Sequence, residues 1–189
     1  MENRYWEKSF SNDSIGLEVQ LDELGLSPEM LRDKAVLDLG SGGALFAEGI
    51  KDNYPDLNIK VVSLDPKYSN PEHLKRKVMP GEDATIERIG NKEILAVSAV
   101  AESLPFKDES FDIVISNCAV PYYQDDDRIK EASILEIIRV LKPGGEARIT
   151  MVVDNDEKIL RGVVDASSDC TLEYSDQLVI IKKSPKVDV

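Results

Sequence analysis

Six short apolar runs limit the fold of this chain more than any other feature of its sequence. They are residues 35–40 (AVLDLG), 59–65 (IKVVSLD), 93–99 (EILAVSA), 111–117 (FDIVISN), 146–153 (EARITMVV) and 177–183 (QLVIIKK). Several hold consecutive Val, Ile or Leu instead of alternating them with polar residues. A strand reads that way when both of its faces are covered, as in a parallel sheet flanked by helices.

Helical stretches fit between the runs. In residues 126–141, Ile134, Ile137, Ile138 and Leu141 fall on one side, while Lys130, Glu131, Glu136 and Arg139 stay polar. Asp125 and Asp126 sit where an N-cap belongs. Lys142-Pro143-Gly144-Gly145 is expected to stop that helix and feed the next strand. Ser27-Pro28 predicts a helix start before the first strand, and Asn70-Pro71 another. Strand and helix in alternation imply an open α/β sandwich with right-handed crossovers. The final segment, CTLEYSDQLVIIKK, reads as two strands around a Ser175-Asp176 turn, which adds an antiparallel strand to a parallel sheet.

The length of 189 residues suits one domain, and no repeat or Pro/Gly/Ser-rich linker divides it. The formal charge is −13. A surface so acidic repels polyphosphate, which argues against broad binding to DNA, RNA or anionic membrane. Two cysteines, Cys118 and Cys170, cannot make a disulfide scaffold. The first residues lead into no long apolar stretch, and no apolar run is long enough to span a bilayer, so the expectation is a cytoplasmic protein.

The first strand runs directly into a glycine-rich turn, Asp38-Leu39-Gly40-Ser41-Gly42-Gly43-Ala44, with a helix expected through Leu45, Phe46 and Ile50. Glycine lets the backbone turn sharply and lets a ligand approach without a Cβ in the way. In an open α/β sheet, the space beyond the carboxyl end of the strands is where ligands bind. A dinucleotide fingerprint wants a third glycine where Leu45 stands. Asp38 would also repel a pyrophosphate but attract an ammonium or a sulfonium. The second strand ends at Asp65-Pro66, and a carboxylate at that tip can accept hydrogen bonds from both hydroxyls of a ribose. Each feature also has a plain structural reading, as a tight turn or a turn aspartate before proline.

VLDLGSGGA, the acidic end of the second strand, AESLPFKDESFDIVISN and IIRVLKPGGEARIT occur in that order. Together they resemble the class I S-adenosylmethionine-dependent methyltransferases over residues 35–153. The resemblance implies a Rossmann-like, doubly wound, mostly parallel seven-stranded sheet with a C-terminal antiparallel hairpin and helices on both faces. It implies a catalytic domain over 35–189, with residues 1–34 as a helical extension covering the site. It also implies S-adenosylmethionine as cofactor. Asp38, Gly40, Ser41 and Gly42 would surround its methionine portion, Asp65 would hold the ribose, and Pro66 would lie near the adenine. Ala101 and Glu102 would border the adenine ring, and Asn117 and Cys118 would face the methionine end and the substrate. The chain departs from the pattern at Ala44, which replaces a loop glycine, and at Val100, where an acidic residue often receives the adenine amino group. Asn117-Cys118-Ala119-Val120-Pro121-Tyr122 does not match the Asn/Asp-Pro-Pro-Tyr run of base and amide methylases.

Methyl transfer from a sulfonium is an in-line displacement in which the protein mainly positions reactants and excludes water, so no catalytic residue is assigned from sequence. Tyr122 and Tyr123 could contact an acceptor or form a hydrophobic rim. His73, in the basic run His73-Leu74-Lys75-Arg76-Lys77, could dock an anion or lie on a solvated helix face. Capping explains Asp125-Asp126-Asp127 better than a metal does, and no metal is expected. Specificity elements are expected in residues 1–26, with Tyr5, Trp6 and Phe10, and in the long connection 66–92. The leading expectation is transfer to a small-molecule acceptor. The alternatives are a protein methyltransferase or a non-catalytic or partner-dependent, methyltransferase-like module that holds the cofactor.

Overall fold

The structure is a computed structural model, and it describes residues 16–69, 87, 89–91, 93–175 and 177–186. His73, the basic run around it, the Asn70-Pro71 helix start, the Tyr5, Trp6 and Phe10 group and Asp176 lie outside these residues.

Seven strands form one sheet: β1 (Ala35–Leu39), β2 (Lys60–Leu64), β3 (Leu95–Val97), β4 (Phe111–Ser116), β5 (Leu141–Thr150), β6 (Cys170–Ser175) and β7 (Leu178–Lys183). Their order is β3-β2-β1-β4-β5-β7-β6. All neighbours from β3 to β5 pair in parallel, and β7 runs antiparallel to both β5 and β6. The direction of the chain reverses on either side of β1, so β1 and β4 flank a topological switch point, where open sheets leave a crevice.

The consecutive apolar residues of the strands are buried on alternating faces. Leu37, Leu39, Leu64, Val114 and Ile149 pack under α3 (Asp127–Val140) and α4 (Asp154–Ala166) through Ile134, Ile137, Leu160 and Val164. Val36, Val61, Ile113 and Ile115 face α1 (Leu17–Glu23) and α2 (Leu45–Asn53), meeting Leu21, Leu24, Phe46 and Ile50. Burying one such side chain contributes about 1.5–3 kcal/mol, so both layers are needed to hold the sheet.

Three local expectations are refined. Ser27 does precede a helical turn, but Pro28–Leu31 is a single 3₁₀ turn. Asp126 caps α3, its carboxylate accepting from the Arg128 N–H at 2.8 Å, while Asp125 does not. Lys142-Pro143-Gly144-Gly145 does not separate helix from strand but forms part of β5, which begins at Leu141. There Phe111 pairs with Leu141 and Ile113 with Glu146, so the segment loops out as a bulge. Gly144 has a φ of 78°, and a Cβ on Gly145 would lie 2.8 Å from the Asp112 carbonyl oxygen. The glycines therefore let the strand restart tightly against β4.

Candidate cofactor site

The loop after β1 is pinned to the end of β2. The Gly40 and Ser41 N–H groups donate to the Leu64 carbonyl at 2.8 and 3.1 Å. Gly40 has a φ of 74°, and a Cβ there would come within 2.4 Å of the Ala119 Cβ. Two separate constraints thus require glycine at this position. Gly42 is also left-handed, at 54°, but a Cβ there would meet nothing within 4 Å. Its backbone borders open space. Ala44 completes the turn at a φ of 61° and accepts the left-handed conformation without being a glycine.

That space is a cavity of about 550 Å³ past the carboxyl ends of β1, β2 and β4 and beside the loop after β3. Seven predicted site residues line it: Gly40, Gly42, Asp65, Pro66, Ala101, Glu102 and Cys118. Asp38, Ser41 and Asn117 do not. Ser41 turns its hydroxyl to that of Tyr68, 2.8 Å away. Asp38 lies beneath the loop and is only 6% exposed. Asn117 faces α1, its side-chain amide donating to Glu23 Oε2 at 3.0 Å.

Asp65 is 5% exposed and is held in place by backbone donors, Gly42 N–H on Oδ2 at 3.0 Å and Lys67 N–H on Oδ1 at 2.8 Å. It therefore bridges the tips of β1 and β2. Asp38 has no such support. Burial, and then the charge of Asp65, raise its pKa to about 7, and no hydrogen bond among the described residues offsets them. Ser63, its register partner on β2, keeps a buried hydroxyl without a partner among those residues.

The far wall comes from the loops after β3 and β4. Arg139 on α3 donates to the Leu104 and Phe106 carbonyls at 3.1 and 2.8 Å. Glu136 accepts from the Leu104 N–H at 2.7 Å, so α3 fixes the segment that carries Ala101 and Glu102. After β4, Ser116 Oγ bonds both the N–H and the carbonyl of Val120, tightening the turn that precedes Tyr122 and Tyr123. The two tyrosine rings meet edge to face at 5.0 Å. Tyr123 is 75% exposed at the cavity rim. Burial raises the pKa of Cys118, a hydrogen bond with Thr150 works against this, and the charge of Glu23 adds to it.

Lys67, Gln124 and Ile129 also line the cavity, and the sequence reading missed them. Gln124 holds Ser133 through its side-chain NH₂ at 2.7 Å, while its carbonyl oxygen is buried without a partner among the described residues. Nothing in its local sequence marks it, because its role depends on how the loop after β4 meets α3.

The methyltransferase domain family matches residues 37–149, more than half of the chain. The chain belongs to that family. S-adenosylmethionine is the cofactor that this membership implies, and the residues present fit it. An unpaired buried carboxylate suits a cationic ligand, a glycine edge open to the cavity admits close approach, and a second carboxylate stands at the tip of β2. The chain is 39% identical over 67 residues to a ubiquinone/menaquinone biosynthesis C-methyltransferase, UbiE, of Xanthomonas campestris, covering 33% of this chain and 25% of the relative. It is 32% identical over 132 residues to an uncharacterised protein of Haemophilus influenzae, covering 68% of this chain and 47% of the relative. The chain thus spans a quarter to a half of the length of these relatives. Among solved structures, the PH0226 protein of Pyrococcus horikoshii superposes with a TM-score of 0.59 at 18% identity, covering 98% of this chain and all of that one. A candidate S-adenosyl-L-methionine-dependent methyltransferase of Methanococcus maripaludis superposes at 0.60 with 15% identity, covering 92% and 85%. These likenesses establish a shared fold. Among the described residues, no helix is long and apolar enough to cross a membrane.

Proposed function

We propose that the chain is an S-adenosylmethionine-dependent methyltransferase that acts on a small-molecule acceptor. The observation that carries this reading is the cavity between strand tips, bordered by a bare glycine backbone and backed by two buried carboxylates. In it, Gly40 and Gly42 give the methionine portion room, and Asp38 lies near its amino group. Asp65 takes the ribose hydroxyls through lone pairs that Gly42 and Lys67 leave free. Pro66, Ala101 and Glu102 border the adenine. Ser41 acts indirectly, holding the loop through Tyr68. Asn117 and Cys118 border the reacting end.

When bound, the cofactor supplies a methyl carbon made electrophilic by a cationic sulfur. An acceptor lone pair would form the new bond to that carbon, with the electrons of the broken C–S bond left on sulfur. The protein's work is alignment and exclusion of water. Residues 1–34 would help by covering the site. The curated relatives named as C-methyltransferases act on small molecules by that name, which favours a small acceptor over a protein. A partner-dependent module is a second reading. It is favoured by similarity to a Haloferax volcanii methyltransferase solved with its Trm112 activator, at a TM-score of 0.54 and 15% identity.

Calorimetry with S-adenosylmethionine, followed by labelled-methyl transfer into a metabolite extract, tests the proposal. Asp65→Ala should weaken cofactor binding by about 1–3 kcal/mol, because it removes a charged acceptor and strands the donors that bond to it. Unchanged affinity would remove Asp65 from the ribose site. Tight binding without transfer to any fraction would favour the module.

A further inference from the structure

A second cavity, of about 350 Å³, lies against the first, and Cys118 is on the wall of both. The cofactor cavity thus has a neighbour at the β4 tip, the end assigned above to the reacting group. Asp22 and Glu23 from the end of α1 line it, with Thr150 from β5 and Ser175 and Gln177 from either side of the β6–β7 turn. No lysine or arginine is on its described wall.

Glu23 is aimed rather than free. The Asn117 side-chain NH₂ donates to its Oε2 at 3.0 Å, and the Asn117 carbonyl oxygen accepts from Thr150 Oγ1 at 2.6 Å. Asn117 therefore has both ends engaged, with its donor end turned to the Glu23 carboxylate. The nearby cation, Arg148, is committed elsewhere. It donates to the Leu24 and Gly25 carbonyls at 2.8 and 2.9 Å and pairs with Glu146 at 2.7 Å. Neither Asp22 nor Glu23 forms an ion pair among the described residues. Among the described residues, no group of three or more His, Cys, Asp or Glu is placed to hold a metal ion.

We propose that this second cavity receives the methyl acceptor and selects a protonated amine, with Glu23 holding its N–H groups and Asp22 adding negative charge at the wall. The inference rests on the methyltransferase reading and names the class of its acceptor. An anionic acceptor would meet uncompensated like charge, and a purely apolar one would strip water from the Glu23 carboxylate and leave it with the Asn117 hydrogen bond alone. An ammonium must lose a proton before its nitrogen can attack. That proton goes to water while Glu23 orients the amine through its remaining N–H, the nitrogen bonds to the methyl carbon, and the sulfur leaves as a neutral thioether.

The test uses the full chain saturated with S-adenosylhomocysteine and a probe set of benzylamine, putrescine, benzoate and phenol, read by amide NMR. Amines should perturb Glu23, Thr150 and Ser175, and benzoate should not. Glu23→Gln should lower amine affinity at least tenfold while leaving cofactor affinity within about twofold; Asp22→Asn should do the same more weakly. In labelled-methyl assays, Glu23→Gln should lower kcat/KM for any amine that is methylated. Overturning results are amines that leave these residues unperturbed, preference for benzoate or phenol, or unaltered amine binding in Glu23→Gln. A chain that binds no S-adenosylhomocysteine or S-adenosylmethionine refutes the methyltransferase reading itself and takes this inference with it.

Discussion

Asp38 illustrates how one side chain ties stability to ligand binding. Its raised pKa means that the unliganded folded state holds a proton more tightly than the unfolded chain does. Stability from this group is therefore fully present below about pH 4 and declines as pH rises towards 7. Asp38→Asn should make the unliganded protein more stable at pH 8, by on the order of 2–4 kcal/mol, and change little at pH 4. Urea unfolding at the two pH values checks this. A cationic ligand beside Asp38 reverses the preference, so wild-type affinity for S-adenosylmethionine should rise with pH up to about 7, and the variant should lose that slope. The two loop glycines separate folding from binding. Gly40→Ala meets both a positive φ and Ala119, and should destabilise the fold by about 2–4 kcal/mol. Gly42→Ala meets only the backbone penalty, about 1 kcal/mol, yet should weaken cofactor binding because its methyl group enters the open cavity. Thermal melts alongside calorimetry distinguish them.

At the scale of elements, α3 holds the loop after β3, which carries Ala101 and Glu102, as well as covering the sheet. Arg139 reaches two carbonyls of that loop and the carboxylates of Glu136 and Asp108. Arg139→Ala leaves the Leu104 and Phe106 carbonyls without their donor. It should lower stability by about 1.5–3 kcal/mol, and it should weaken cofactor affinity although Arg139 does not line the cavity. Denaturant titration and calorimetry on one sample measure both. The helical pattern of α3 is plain in sequence because its apolar residues recur along one side. The α4 helix carries a similar signal in Ile159, Leu160, Val163 and Val164, but residues 146–153 read as one long strand and obscured where it begins. The strand in fact ends at Thr150, and Met151 follows with a φ of 58°.

For the whole molecule, the proposed ligand joins the tips of β1, β2 and β4 and the loop after β3, so binding should stabilise the fold as a unit. At a hundredfold excess over Kd, linkage adds about 2.7 kcal/mol, which for a domain of this size raises Tm by roughly 5–10 °C. S-adenosylmethionine should produce that shift and NAD should not, as differential scanning fluorimetry would show. A shift with NAD alone would contradict the reading of the glycine loop.

Much of this architecture is legible along the chain because local rules set it. Consecutive Val, Ile and Leu require strands covered on both faces, and the glycines of the first turn require a backbone that L side chains avoid. Aspartates at two strand ends can be read directly as a carboxylate pair. What the chain does not reveal is set by distance in space. That Asp65 is clamped by Gly42, that Asn117 turns to Glu23, and that Gln124 borders the cavity all depend on loops from different crossovers meeting at one edge of the sheet. The protonation of Asp38 belongs with them. An aspartate in sequence carries an ordinary pKa, and only packing that removes water and sets Asp65 nearby moves it to neutrality.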